Sequence, residues 1–185
     1  MNKLQEIIKS FEYISENTAE MVKKYKSQTG HGAVGIMPVY APEEIVHAAG
    51  YLPIGLWGAQ KNISKARTYL PPFACSIMQS VMENEIEVVY DDLDAIIFST
   101  PCDTLKCLSQ KWKGKSEVIV FTHPQNRPIE CSNDFLVEEY KLFTSRLESI
   151  LNVKITEEAI EKSIEIYNEN RSIMREFVEI SAKYP

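Results

Sequence analysis

Phosphate-binding loops are missing from this chain: no G-x-x-x-x-G-K-[ST] occurs, and no G-x-G-x-x-G runs from a strand into a helix, so direct nucleotide binding through either device has no support. Basic runs are missing as well, and the formal net charge is −6, which argues against a nucleic-acid partner. No apolar run reaches the length of a membrane span, and the polar stretch Met1–Ser10 does not read as a signal peptide. We therefore expect a cytoplasmic protein with no membrane partner. Internal repeats and low-complexity segments are absent. Cysteines number four, and without a secretion signal they favour metal binding, redox chemistry or inert burial over a disulfide framework. What is present is an ordinary globular composition, 44% apolar and 25% charged, in a 185-residue chain long enough for one domain and an appendage.

The chain is organised around Asp94–Cys107. Ala95–Phe98 is a short continuous apolar run, as expected of a strand buried on both faces of a parallel sheet. Ser99-Thr100-Pro101 stops it, because proline removes a backbone donor and restricts the residue before it. Cys102 follows at the strand's carboxyl end, with Asp103 and Thr104 able to cap a helix that begins there. Ligands of open α/β sheets collect at that edge, and a helix N-terminus favours a thiolate, so Cys102 stands where a reactive thiol or a metal ligand belongs.

Upstream, Leu4, Ile7, Ile8, Phe11 and Ile14 recur at helical spacing and predict one amphipathic packing helix over much of residues 2–26, ended by Gly30-His31-Gly32. His31 reads as a loop residue. Ala33–Val39 and Tyr51–Trp57 read as strands around a short helix that starts at Pro42-Glu43-Glu44 and ends at Gly50. His47 inside it suits a buried structural role, and Glu43 and Glu44 suit capping, since adjacent helical residues do not share a face. Pro71-Pro72 forces an extended entry into a helix over Ala74–Ile86, with Cys75 in its first turn and a core stripe of Met78, Met82 and Ile86. Two thiols, Cys75 and Cys102, thus share one setting. Cys107 is expected to be buried. Glu117–Thr122 reads as a fourth strand, and His123 at its end is either a loop residue or a site-lining one. Asn126–Ser132 reads as a loop containing Cys131. Helices follow over Phe135–Leu151, with Phe135, Leu136, Tyr140, Phe143 and Leu147 on the core face, and from an N-cap at Thr156, with an apolar stripe of Ile160, Ile164, Tyr167, Met174 and Phe177. The fold class is α/β: a Rossmann-like, mostly parallel sheet of about four strands flanked by helices, with long helices at both ends. Residues 1–130 make up the α/β part and residues 131–185 a helical extension.

Several of these segments are familiar in this order. Tyr40-Ala-Pro-Glu-Glu-Ile-Val-His-Ala-Ala-Gly50-Tyr-Leu-Pro-Ile resembles the opening motif of the 2-hydroxyacyl-CoA dehydratase family, which includes the 2-hydroxyglutaryl-CoA dehydratase D component and benzoyl-CoA reductase subunits. Pro72-Phe-Ala-Cys75 resembles its first cluster cysteine and Ser99-Thr-Pro-Cys102-Asp103 its second. Phe135-Leu-Val-Glu-Glu-Tyr and Ile155-Thr-Glu-Glu-Ala-Ile, continuing to Arg171, resemble its linking helices. The resemblance spans roughly residues 30–180.

It implies a subunit of two Rossmann-like domains, of which this chain is the N-terminal part or a short homologue, holding a [4Fe–4S] cluster through three cysteines. Cys75 and Cys102 would be two of them, the third lying in a second domain, and Cys107 and Cys131 would not be ligands. It further implies an acyl-CoA substrate, a related second subunit or a second copy, and an ATP-hydrolysing activator that donates an electron. The whole enzyme would be a lyase, dehydrating a 2-hydroxyacyl-CoA through a ketyl radical anion. Two other readings compete. One is a metal-free interaction module in which all four cysteines are buried hydrophobes and the terminal helices mediate association. The other is a part of a benzoyl-CoA-reductase-like or double-cubane cluster reductase.

Overall fold

A computed structural model describes residues 2–126 and 128–184; Met1, Arg127 and Pro185 lie outside the described residues, so the expected loop over 126–132 is described only in part. The elements run α1 (Lys3–Glu16), α2 (Thr18–Thr29), β1 (Ala33–Ile36), α3 (Glu43–Ala48), β2 (Leu52–Gly55), a 3-10 turn (Ala66–Thr68), α4 (Ser76–Ile86), β3 (Ala95–Ser99), α5 (Asp103–Lys111), β4 (Glu117–Phe121), α6 (Cys131–Leu151) and α7 (Glu157–Ser181). The four strands form one sheet in the order β2-β1-β3-β4, and all its pairings are parallel, in line with the expected α/β class.

The order of the strands follows from burial. β1 and β3 are buried along their whole length and take the two central places. β4 buries Ile119 and Phe121 while Glu117 and Val120 are exposed, the alternation of an edge strand. β2 carries Pro53, which cannot donate to a ladder and is accommodated because β2 pairs only with β1. Alternate residues of β3 feed two cores. Ala95 and Ile97 pack with Val34, Ile36, Ile45, Val46, Phe121, Phe143 and Leu147, a layer that joins α3 and α6 to one face. Ile96 and Phe98 pack with Met78, Val81, Met82, Leu105 and Leu108, which joins α4 and α5 to the other. From β1 the chain steps outward to β2 by way of α3. It then crosses back over β1 to β3 and β4 with α4 and α5 on the opposite face, as right-handed crossovers require. The direction of winding reverses between β1 and β3.

Several boundaries differ from those predicted. The N-terminal helix is two helices, because Asn17 ends α1: its side-chain amide and its backbone N–H both donate to the Tyr13 carbonyl, at 2.8 and 3.0 Å. No residue of α1 is buried, and its stripe faces outward, with Leu4 and Phe11 more than 60% exposed. β1 stops at Ile36, where pairing with β3 ends. Gly30, at φ +79°, closes α2 in the left-handed conformation. The spacing of Gly30, Gly32 and Gly35 does spell G-x-G-x-x-G, but it leads from a helix into a strand, the reverse of the order that cradles phosphate. α6 starts at Cys131, four residues before Phe135, and Phe135 itself is exposed. On α7, Ile164, Met174 and Phe177 are exposed, and among the described elements the helix packs chiefly against α3. Among the described residues no helix is long and apolar enough to cross a membrane.

Candidate functional site

The reversal between β1 and β3 opens a crevice at the carboxyl edge of the sheet, where open α/β sheets gather their ligands. Two segments border it: Met37–Ala41 after β1, and Thr100–Cys102 after β3. They are tied together by the buried Ser99, whose hydroxyl donates to the Val39 carbonyl.

Cys102 is the N-cap of α5, in an extended conformation, and the Lys106 N–H closes the first helical turn on its carbonyl at 3.2 Å. Cys75 is the N-cap of α4, also extended, with the Gln79 N–H on its carbonyl at 3.0 Å. It thus stands one residue before the first turn in which it was expected. Neither helix takes a side-chain hydrogen bond at its cap, so first-turn N–H groups stay open to an anion at the sulfur. α4 and α5 pack against each other on one face of the sheet, and both begin at its carboxyl edge. The two expected residues therefore share one setting at the same edge.

The approach to Cys75 is fixed by α4 itself. Glu83, 1% exposed, accepts from the N–H groups of Ser64, Lys65 and Ala66 at 3.1, 3.1 and 2.8 Å, and from the Ser64 hydroxyl at 2.9 Å. Burial alone would raise its pKa, but these donors outweigh burial and hold the carboxyl at about 2. Gly58 permits the same segment to lie close on α4: at φ +78°, a Cβ there would stand 3.1 Å from the Ile77 carbonyl oxygen and collide with the Ser80 hydroxyl. Gln79 then donates to the Ala74 carbonyl at 2.7 Å, next to Cys75.

All four cysteines are free; Cys75, Cys102 and Cys131 are exposed and Cys107 is half-buried. Uniform burial of the four thiols, on which the metal-free reading leaned, is therefore not the arrangement present. Cys107 was expected to be buried, but its turn of α5 leaves it partly open. Cys131 was placed in a loop and is the first residue of α6. His47, expected to be buried, is half-buried: its Nδ1 lies 2.9 Å from the Ser163 hydroxyl, and its ring packs edge-on against Tyr167. Glu44 is more than a cap, because it pairs with Arg171 of α7. Among the described residues no three His, Cys, Asp or Glu side chains converge to hold a metal.

His123 does line the edge. It bounds a cavity of about 190 Å³ with Tyr40, Pro101, Pro124 and Gln125, and its ring lies 5.2 Å from that of Tyr40. Tyr40 also walls a second cavity of the same size with Met37, Glu43 and Trp57. Sequence reasoning missed Tyr40 and Glu83. Tyr40 adopts φ +68°, which no side chain of its type announces, and Glu83 reads as an ordinary surface residue of a helix.

Comparison with known proteins identifies the family. The profile of the family described as 2-hydroxyglutaryl-CoA dehydratase, D-component, matches residues 38–185. The chain belongs to that family. It is 63% identical over 186 aligned residues to the lactoyl-CoA dehydratase subunit beta of Anaerotignum propionicum, covering 100% of this chain and 50% of that protein. It is 43% identical to the (R)-phenyllactyl-CoA dehydratase beta subunit of Clostridium sporogenes, again over 100% of this chain and 50% of the relative. Identity to the (R)-2-hydroxyglutaryl-CoA dehydratase subunit beta of Acidaminococcus fermentans is 36%, over 97% and 48%. The chain thus spans about half the length of these relatives.

Proposed function

We propose that this chain is the N-terminal half of a 2-hydroxyacyl-CoA dehydratase subunit of the beta type, and that it contributes Cys75 and Cys102 to a [4Fe–4S] cluster. The observation that carries the reading is the paired setting of these two thiols, exposed and unbridged at the N-caps of neighbouring helices along one sheet edge. The donor set fits such a group by chemistry, because cysteine thiolates are its usual ligands and a helix N-terminus favours the thiolate. By number it supplies two ligands, and the proposal assigns the third to the half of the relatives' length that this chain does not span. When bound, the cluster would supply a single low-potential electron to an acyl-CoA thioester.

The chain's own residues have the tasks of holding and shielding. Glu83 and Gly58 fix the segment that leads into Cys75, and Ser99 ties the segment after β1 to the strand that leads into Cys102. The open N–H groups of α4 and α5 favour negative charge at the sulfurs. A related second subunit and an ATP-hydrolysing electron donor belong to the same proposal; the first rests on the designation of the relatives as beta subunits.

Iron and acid-labile sulfide, measured with the visible spectrum on this chain prepared without oxygen together with the half of the relatives' length it does not span, test the reading. Iron that survives Cys107→Ser and Cys131→Ser but is lost in Cys75→Ser or Cys102→Ser is the expected result. Iron held by Cys107 or Cys131, with Cys75 and Cys102 dispensable, would sink the ligand assignment.

A further inference from the structure

The cavity bounded by Tyr40, Pro101, His123, Pro124 and Gln125 is an unassigned part of the same sheet edge. One of its walls, Pro101, immediately precedes Cys102 in the chain. At about 190 Å³ it far exceeds the ~15 Å³ that one water requires. Its chemistry is specific. The imidazole Nδ1 of His123 is buried and, among the described residues, has no hydrogen-bond partner. Leaving a buried polar atom without a partner is costly, so the site suits a group that supplies one. The ring is packed against Tyr40 at 5.2 Å and Phe121 at 6.2 Å, centroid to centroid. Tyr40 is itself held over the cavity by a backbone at φ +68°, a conformation costly for a non-glycine residue and recurrent where a side chain is positioned for function.

The lining also states which ligand it suits. It offers an imidazole, a phenol and an amide between two proline walls, with no Lys, Arg, Asp or Glu among the described residues. Such a set can donate to or accept from a neutral hydroxyl or carbonyl oxygen.

We propose that His123 is a hydrogen-bonding residue of this site, its Nδ1 engaging the neutral hydroxyl or carbonyl oxygen of a ligand seated between Tyr40 and Pro101. Two sources supply that chemistry: the acyl end of a 2-hydroxyacyl thioester, which rests on the function proposed above, and an ordered water. The bond is donated by Nδ1–H to a carbonyl or accepted by Nδ1 from a hydroxyl, according to the tautomer.

The test is long-range proton–nitrogen NMR on the full chain with labelled histidine, His123 being assigned with His123→Gln. Lactoyl-CoA and free coenzyme A are the probes. A His123 Nδ1 signal that moves with lactoyl-CoA but not with coenzyme A supports the inference and assigns the oxygen to the acyl end. A signal already at its hydrogen-bonded position in buffer, and unmoved by lactoyl-CoA, supports the hydrogen bond with water as its source. A signal at the unbonded position throughout overturns the inference. In the first case His123→Phe weakens lactoyl-CoA binding roughly tenfold, whereas His123→Asn, whose amide overlays Nδ1, stays within about twofold. Equal affinity in wild type and His123→Phe would overturn the acyl assignment. Iron and sulfide content keep the two proposals apart: loading that is unchanged in His123→Phe leaves the Cys75 and Cys102 assignment standing whatever happens to His123.

Discussion

The carboxylate of Glu83 on α4 accepts the backbone N–H of Ala66 at 2.8 Å, with the N–H groups of Lys65 and Ser64 gathered on the same group. One buried side chain thereby anchors the segment that delivers Cys75. Removing it leaves those donors buried without an acceptor. We expect Glu83→Ala to cost roughly 3 kcal/mol in urea unfolding and to raise amide exchange across residues 60–75 before it does so in β3.

The pH dependence follows from two carboxyls of opposite sense. The Glu83 pKa is about 2 in the folded state against 4.5 ordinarily, so the folded state binds fewer protons. Its contribution is complete above pH 4.5 and is lost as the pH falls through 2. Acid unfolding should therefore be steep in that window and flattened in Glu83→Gln, and an unchanged slope would refute the assignment.

Glu85, on the same helix, behaves the other way. Burial, then the nearby charge of Asp91, pushes its pKa up to about 7. The folded state binds the extra proton, so its contribution is complete below pH 4.5 and is lost as the pH rises through 7. Glu85→Gln should gain on the order of 2 kcal/mol over wild type at pH 8 and almost nothing at pH 4.5. Thermal denaturation at both pH values decides this.

Thiol reactivity reports the cysteine environments directly. Cys75, Cys102 and Cys131 are exposed and Cys107 is half-buried. Titration of the metal-free protein with a disulfide reagent should give three fast thiols and one slower. Four slow thiols would restore the metal-free interaction module, in which every cysteine is a buried hydrophobe.

The helix α7 is fastened to α3 by few polar contacts. Ser163, almost wholly buried, meets His47 at 2.9 Å, and Arg171 pairs with Glu44 and lies 5.7 Å over the Tyr167 ring. Ser163→Ala should cost about 1 kcal/mol, and Arg171→Ala less, since that ion pair is half-exposed. Both variants should raise amide exchange in the first half of α7 and leave α4 and α5 unchanged.

What the sequence determined by itself was the part governed by short-range rules. A continuous apolar run such as Ala95–Phe98 suits a strand buried on both faces, and proline after such a run stops it. Cys102 follows such a stop and Cys75 follows Pro71-Pro72, and both fall at helix N-termini, which made them legible. Tertiary structure decided the rest, because it depends on residues far apart in the chain. The order β2-β1-β3-β4 sets which loops border the crevice. Glu83 acquires its role only when a segment 17–19 residues earlier folds back on it. Tyr40 meets His123 only because β1 and β4 both flank β3 and their following loops converge at one edge. The outward stripes of α1 and the second half of α7 mark the converse limit: their helical period is written in the sequence, whereas what a face packs against is a property of the assembled molecule.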